Sequence, residues 1–212
     1  MPTCGGGTAG GNGGQFGEGM IGKSTSTTVK SSHPLADEIN RGGGGFANEI
    51  MNTRDAMERE YGSAVKDMNL HVGTFSDNST LGAYGGDTLY MNEKYVKNAY
   101  LTEAMRNTDG FHPGIGNKTG AEAVASHEIG HRLGEVAAKK AGISERDIVA
   151  RAAKKAGIKT NNMAGHISGY ARSNYSETIA EACSDVYCNG SKASKASIAI
   201  SNELKGILRG GK

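Results

Sequence analysis

Residues 127 to 131 read His-Glu-Ile-Gly-His, and three of the five side chains have a chemical use at that spacing. Positions four apart lie about 40° apart around a helix, so His127 and His131 project from one side and can offer two imidazole nitrogens to a single cation. Glu128 follows the first histidine at about 100°, beside the pair, where its carboxylate can take a proton from a water activated by the metal. The five-letter pattern also arises by chance in ordinary helices. Three further features favour chemistry: a helix cap just upstream, a clean apolar face behind the histidines, and a suitable third ligand downstream.

No His-x-x-Gly-x-x-His continuation follows His131, so the metzincin ligand pattern is absent. Instead, Asn174-Tyr-Ser-Glu177-Thr-Ile-Ala-Glu181 begins 43 residues further on. Glu177 and Glu181 face the same way on a helix. A helix packed across the first can place Glu177 on the cation and Glu181 behind a histidine, where it fixes the imidazole tautomer. Two plainer readings stand beside this one: Asn174-x-x-Glu177 also resembles a capping box, and Glu181 also fits a solvated surface. Tyr170, on its residues alone, reads as a packed tyrosine. His166 lies near the third-ligand segment, either lining a cleft or sitting at the surface, and His33, His71 and His112 have no partner spacing that implies a metal.

The run Ile167-Ser-Gly-Tyr170-Ala-Arg-Ser-Asn174-Tyr-Ser-Glu177-Thr-Ile-Ala-Glu181-Ala, placed after His-Glu-Ile-Gly-His, resembles the catalytic domain of the anthrax lethal factor-like group of gluzincin metallopeptidases. Similar domains occur in phage head-morphogenesis and minor-capsid proteins. The resemblance spans roughly residues 85 to 190. It implies a zincin-like fold and zinc ligands at His127, His131 and Glu177. It also implies a general base at Glu128 and an oxyanion-supporting tyrosine at Tyr170, seven residues before the ligand glutamate. Nothing in the glycine-rich N-terminal third resembles a toxin's delivery or docking domains.

The elements that must position these residues follow from periodicity. Thr119 with Glu122 three residues on predicts a capping box, and Ala-rich helical sequence runs from there to about Ala141, before Gly142. Ala125, Ile129, Leu133 and Val136 give that helix a core face opposite the chemical one. Gly130 and Gly134 weaken it by up to about 1 kcal/mol each, which implies a close approach to its backbone. Further helices are predicted over Ala47–Tyr61 (buried side Ile50, Met51 and Met57), around Leu101–Met105, and over Ser144–Ala156, Asn174–Cys188 and Ala193–Leu208, with a short one starting at Pro34. Alternation over Met68–Thr74 predicts a strand, and two more are expected at Leu81–Tyr84 and Thr88–Met91 around the Gly85-Gly86-Asp87 turn. The Thr88–Met91 strand is the expected cleft edge for an extended substrate. The fold class is therefore α+β: a small mixed sheet, then the active-site helix and a helical C-terminal half.

Composition sets the boundaries. Of 212 residues, 33 are glycine, and their concentration before residue 45 predicts a disordered segment over 1–32 and a folded domain over 33–212. Formal net charge is +2 with no basic band, which argues against a nucleic-acid partner. Cys4, Cys183 and Cys188 are odd in number without a CxxC pair, and read as idle thiols in a reducing compartment. No apolar run approaches a membrane span, and the N-terminus lacks the basic-then-apolar pattern of a secretory signal. The expectation is a zinc-dependent peptidase acting on a protein or peptide, in a host cytoplasm or attached to a virion. Its rivals are a phage head-associated assembly protein that binds capsid or portal partners without turnover, and a metallohydrolase acting on a non-peptide amide.

Overall fold

The computed structural model describes residues 3–5, 29–30, 46–73, 75, 79–96 and 100–210, and the helix expected at Pro34 lies outside them. In chain order these residues form β1 (Thr3–Gly5), β2 (Val29–Lys30), α1 (Phe46–Tyr61), β3 (Asn69–Gly73), β4 (Thr80–Gly85), β5 (Thr88–Asn92), α2 (Glu93–Val96), α3 (Tyr100–Arg106), α4 (Gly120–Ala141), α5 (Glu145–Ala156), α6 (Tyr175–Asn189) and α7 (Lys195–Arg209). The class is mixed α and β, mostly helical. Three 3-10 turns, Thr160–Asn162, Ala164–His166 and Tyr170–Arg172, fill the irregular stretch between α5 and α6.

The sheet runs β1-β4-β5-β3-β2. A core of β4, β5 and β3 carries a two-residue strand on one side and a three-residue strand on the other. β4 and β5 form an antiparallel hairpin, while β3 pairs with β5 in parallel. This order corrects one expectation: β5 is hydrogen-bonded on both sides, to β4 and β3, so Thr88–Met91 is interior and offers no free edge. β1 and β2 fall within the glycine-rich segment, whose composition gives no sign of them.

Helix α4 is the centre of the molecule. Thr119 caps it with a complete capping box: its hydroxyl accepts from Glu122 N while the Glu122 carboxylate accepts from Thr119 N, and Gly142 in the left-handed region ends the helix. Ala125, Ile129 and Leu133 are fully buried as the pattern requires, but the face continues at Ala137 while Val136 is only half-buried. α1, α6, α7 and β4 all pack on α4, which is why its buried positions extend nearly all round.

Two glycines record how close those neighbours come. A Cβ on Gly130 would stand 2.7 Å from Ala180 Cα and 3.0 Å from Cys183 Cβ, so α6 crosses α4 almost backbone to backbone. A Cβ on Gly82 of β4 would meet Val124 Cγ1 at 2.8 Å and Glu128 Cγ at 3.4 Å, so the sheet lies directly over the face of α4 that carries Val124 and Glu128. Among the described residues no helix is long and apolar enough to cross a membrane. Cys183 is a buried free thiol and Cys188 a half-buried one.

Candidate metal centre

The α4–α6 crossing sets the site. Gly130 lies one position before His131 and Ala180 one before Glu181, so the closest backbone approach falls between the two pairs of polar residues and forces them together. His127, Glu128, Glu177 and Glu181 are each at most 2 % exposed, and His131 is 6 % exposed.

Glu177 is the hub. Its Oε2 lies 3.2 Å from His127 Nε2 and 3.6 Å from His131 Nε2, and its Oε1 accepts a long hydrogen bond, 3.4 Å, from the Tyr170 hydroxyl. The capping alternative also holds for its segment, but through a different residue. Asn174 caps α6 with its side-chain oxygen on Glu177 N, leaving the Glu177 carboxylate to turn inwards.

Each histidine is held from behind by its other nitrogen. His127 Nδ1 lies 2.8 Å from Glu181 Oε1, and His131 Nδ1 lies 2.9 Å from Ser176 Oγ. An ionised carboxylate only accepts, so His127 carries a proton on Nδ1, and Nε2 is the nitrogen turned towards Glu177 and His131. Ser176 also hydrogen-bonds the half-buried Glu145 carboxylate, whose pKa is raised by burial and by the nearby Glu135 and Glu177. Donating to Glu145, the Ser176 hydroxyl is left to accept from His131 Nδ1, which gives His131 the same orientation.

This arrangement tests whether a cation fits. His127 Nε2, His131 Nε2 and Glu177 Oε2 are buried and converge, the carboxylate oxygen lying 3.2 and 3.6 Å from the two nitrogens, and none of the three has a hydrogen-bond partner outside the cluster. Three converging lone pairs repel unless a proton or a metal ion sits among them. The electrostatics agree. Burial would lower His127, but its bonds to Glu177 and Glu181 outweigh that and hold its pKa well above the usual value. His131, pushed down first by burial and then by the charge on His127, falls to about 4. The pair thus accommodates one positive charge, and two imidazoles with one carboxylate are a donor set that suits zinc.

Glu128 also offers an oxygen within 4.8 Å of both histidine ligand atoms. Glu177 is the better third donor, because it touches both Nε2 atoms and its second oxygen is engaged by Tyr170. Both oxygens of Glu128 lack a hydrogen-bond partner. Burial lifts its pKa to about 8, with His127 opposing and Glu177 and Glu181 assisting. A carboxyl that titrates near neutrality is suited to exchanging protons with a reacting group.

No family model matches the chain, and neither the curated proteins nor the solved structures contain a match. The reading of the site therefore rests on its geometry and on the motifs themselves.

His112 is the residue that sequence spacing missed. It is 3 % exposed, and its Nδ1 lies 3.0 Å from the same Glu181 Oε1 that holds His127. Ser168 Oγ donates to the other Glu181 oxygen at 2.6 Å. Both come from loops, so no helical or strand period marked them. Burial would raise Glu181, but the two imidazoles on its Oε1, His112 and His127, hold it at about 2. His166 is exposed and lines a cavity of about 680 Å³ with Arg172, Asn174 and Thr178, whose lining does not include His127 or His131.

Proposed function

We propose that this chain is a zinc-dependent peptidase of the gluzincin type, with His127, His131 and Glu177 as metal ligands. The observation that carries the reading is the convergence of three buried donor atoms from two crossing helices with no partner outside their own cluster, each ligand histidine being oriented from behind. Zinc bound there would act as a Lewis acid on a scissile carbonyl and bring the pKa of a water towards about 7.

The chain's own groups supply the rest. Glu128 takes a proton from the attacking water and returns it to the leaving amine. Its lack of any hydrogen-bond partner keeps it available for both transfers. Tyr170 donates to the oxyanion that develops on the carbonyl, a contribution of about 2 to 4 kcal/mol for one such donor. Its hydroxyl, now at Glu177 Oε1, is already beside the ligand set. The motif resemblance to the lethal factor-like group supports the same assignment of roles and a zincin-like arrangement of sheet and helices.

The test uses unstructured casein, with and without a chelator, for wild type and Glu128→Gln. Chelator-sensitive cleavage that disappears in the variant is the expected result. One zinc per chain with no turnover on any peptide library would replace the enzyme by a phage head-associated assembly protein that keeps a zinc-binding fold. Hydrolysis of amides other than peptides would redirect the substrate class.

A further inference from the structure

We infer that His112 is a positioning residue of this centre, one side chain that locks both the carboxylate behind His127 and the loop carrying Tyr170. The inference rests on the hydrolase reading above and adds to it a residue outside the motif.

Three contacts carry the argument. His112 Nδ1 and His127 Nδ1 share Glu181 Oε1, at 3.0 and 2.8 Å, so the carboxylate is clamped between two imidazoles. The His112 ring packs against Tyr170, centroids 5.2 Å apart, and against Phe111 at 4.9 Å. The backbone of the same loop is tied to the tyrosine turn, because Gly169 N donates to Gly110 O and Tyr170 N to Phe111 O, both at 2.8 Å. Thr108 Oγ1 donates to the His112 carbonyl at 3.2 Å and closes the loop on itself.

Without His112, Glu181 keeps a single donor on each oxygen, His127 on Oε1 and Ser168 on Oε2, and a carboxylate held so can rotate away from His127 Nδ1. With His112 in place that rotation is blocked, and His127 Nε2 stays aimed at the ligand cluster. Outer partners of this kind change metal affinity by about 10- to 100-fold when removed. The Nε2 of His112 is itself buried without a hydrogen-bond partner. The fold therefore accepts an unmet polar atom at this position, which fits a side chain retained for its Nδ1 donor.

The experiment is zinc competition against a chromophoric chelator on the full chain, for wild type, His112→Phe and His112→Asn, with thermal melting of each in chelator. Phenylalanine keeps the ring but removes the donor, and asparagine restores a donor near the Nδ1 position. The expected result is zinc affinity about 10- to 100-fold weaker for His112→Phe and recovery to within about threefold of wild type for His112→Asn, with no matching order in the melting temperatures. Wild-type affinity in His112→Phe overturns the role of His112 and leaves the metal centre standing, as does a loss in both variants that simply tracks their melting. Failure of the wild type to bind zinc overturns the metal centre itself, and this inference with it.

Discussion

Ala180 Cα lies 2.7 Å from the point where a Cβ on Gly130 would stand. The obstructing atom is backbone, so it cannot swing aside as a side chain would. Gly130→Ala should therefore push α6 away from α4, although alanine favours a helix interior over glycine by about 1 kcal/mol. Net destabilisation of about 1 to 3 kcal/mol is expected, together with weaker zinc binding as Glu177 retreats from the histidines. Urea unfolding and chelator competition measure the two effects, and a stabilised variant would show that the helices have room to spare.

Asn174 and Glu177 separate the capping role from the ligand role. The Asn174 side chain accepts from Glu177 N, whereas the Glu177 carboxylate faces His127 and His131. Asn174→Ala should cost about 0.5 to 2 kcal/mol of stability and leave about one zinc per chain. Glu177→Ala should lose the zinc, as should His127→Ala. Metal analysis after dialysis decides it: zinc retained in Glu177→Ala returns that residue to an ordinary place in the first turn of α6.

What was legible beforehand follows from where the information sits. The Thr119 capping box, the α4 core face and the i,i+4 histidines are periodic features of one helix, and each stands in the sequence within about a turn of where the structure puts it. The Glu177 and Glu181 pair was legible for the same reason, down to Glu181 sitting behind a histidine. His112, Ser168, Ser176 and Glu145 were not. Three of them are single polar residues in loops or at the very start of helices, and Ser176 carries no signal until α6 is laid across α4. The interior position of β5 was equally hidden, because alternation reports which face of a strand is buried and says nothing about how many neighbours it has.

The N-terminus of α4 gives a pH prediction away from the paired histidines. Burial would raise Glu122, but hydrogen bonds from Lys118, the Thr119 amide and Tyr187 outweigh it and its pKa is lowered. A lowered folded pKa means stability that is present above the unfolded value, about 4.3, and lost as pH falls through the folded one. Glu122→Gln retains the capping geometry but has no proton to take up. It should be less stable than wild type at neutral pH and show a flatter decline below about pH 5, measured by urea unfolding in chelator across pH 3 to 7. Parallel declines for the two proteins would remove Glu122 from the acid response.

Tyr170 offers the sharpest division between a chemical role and a supporting one. Its hydroxyl reaches Glu177 Oε1 at 3.4 Å, while its ring packs on Phe111 and His112. Tyr170→Phe keeps the ring and deletes only the hydroxyl, so the fold should be preserved. If the hydroxyl serves the oxyanion, kcat should fall by about 10²- to 10³-fold, with KM and zinc affinity nearly unchanged, because the interaction is stronger in the transition state than with bound substrate. If it serves only to orient Glu177, zinc affinity should drop and kcat at saturating zinc should recover. Steady-state kinetics on a casein-derived peptide at two zinc concentrations separate these outcomes, and the first is the one expected, since a 3.4 Å bond is too long to be the main restraint on the Glu177 carboxylate.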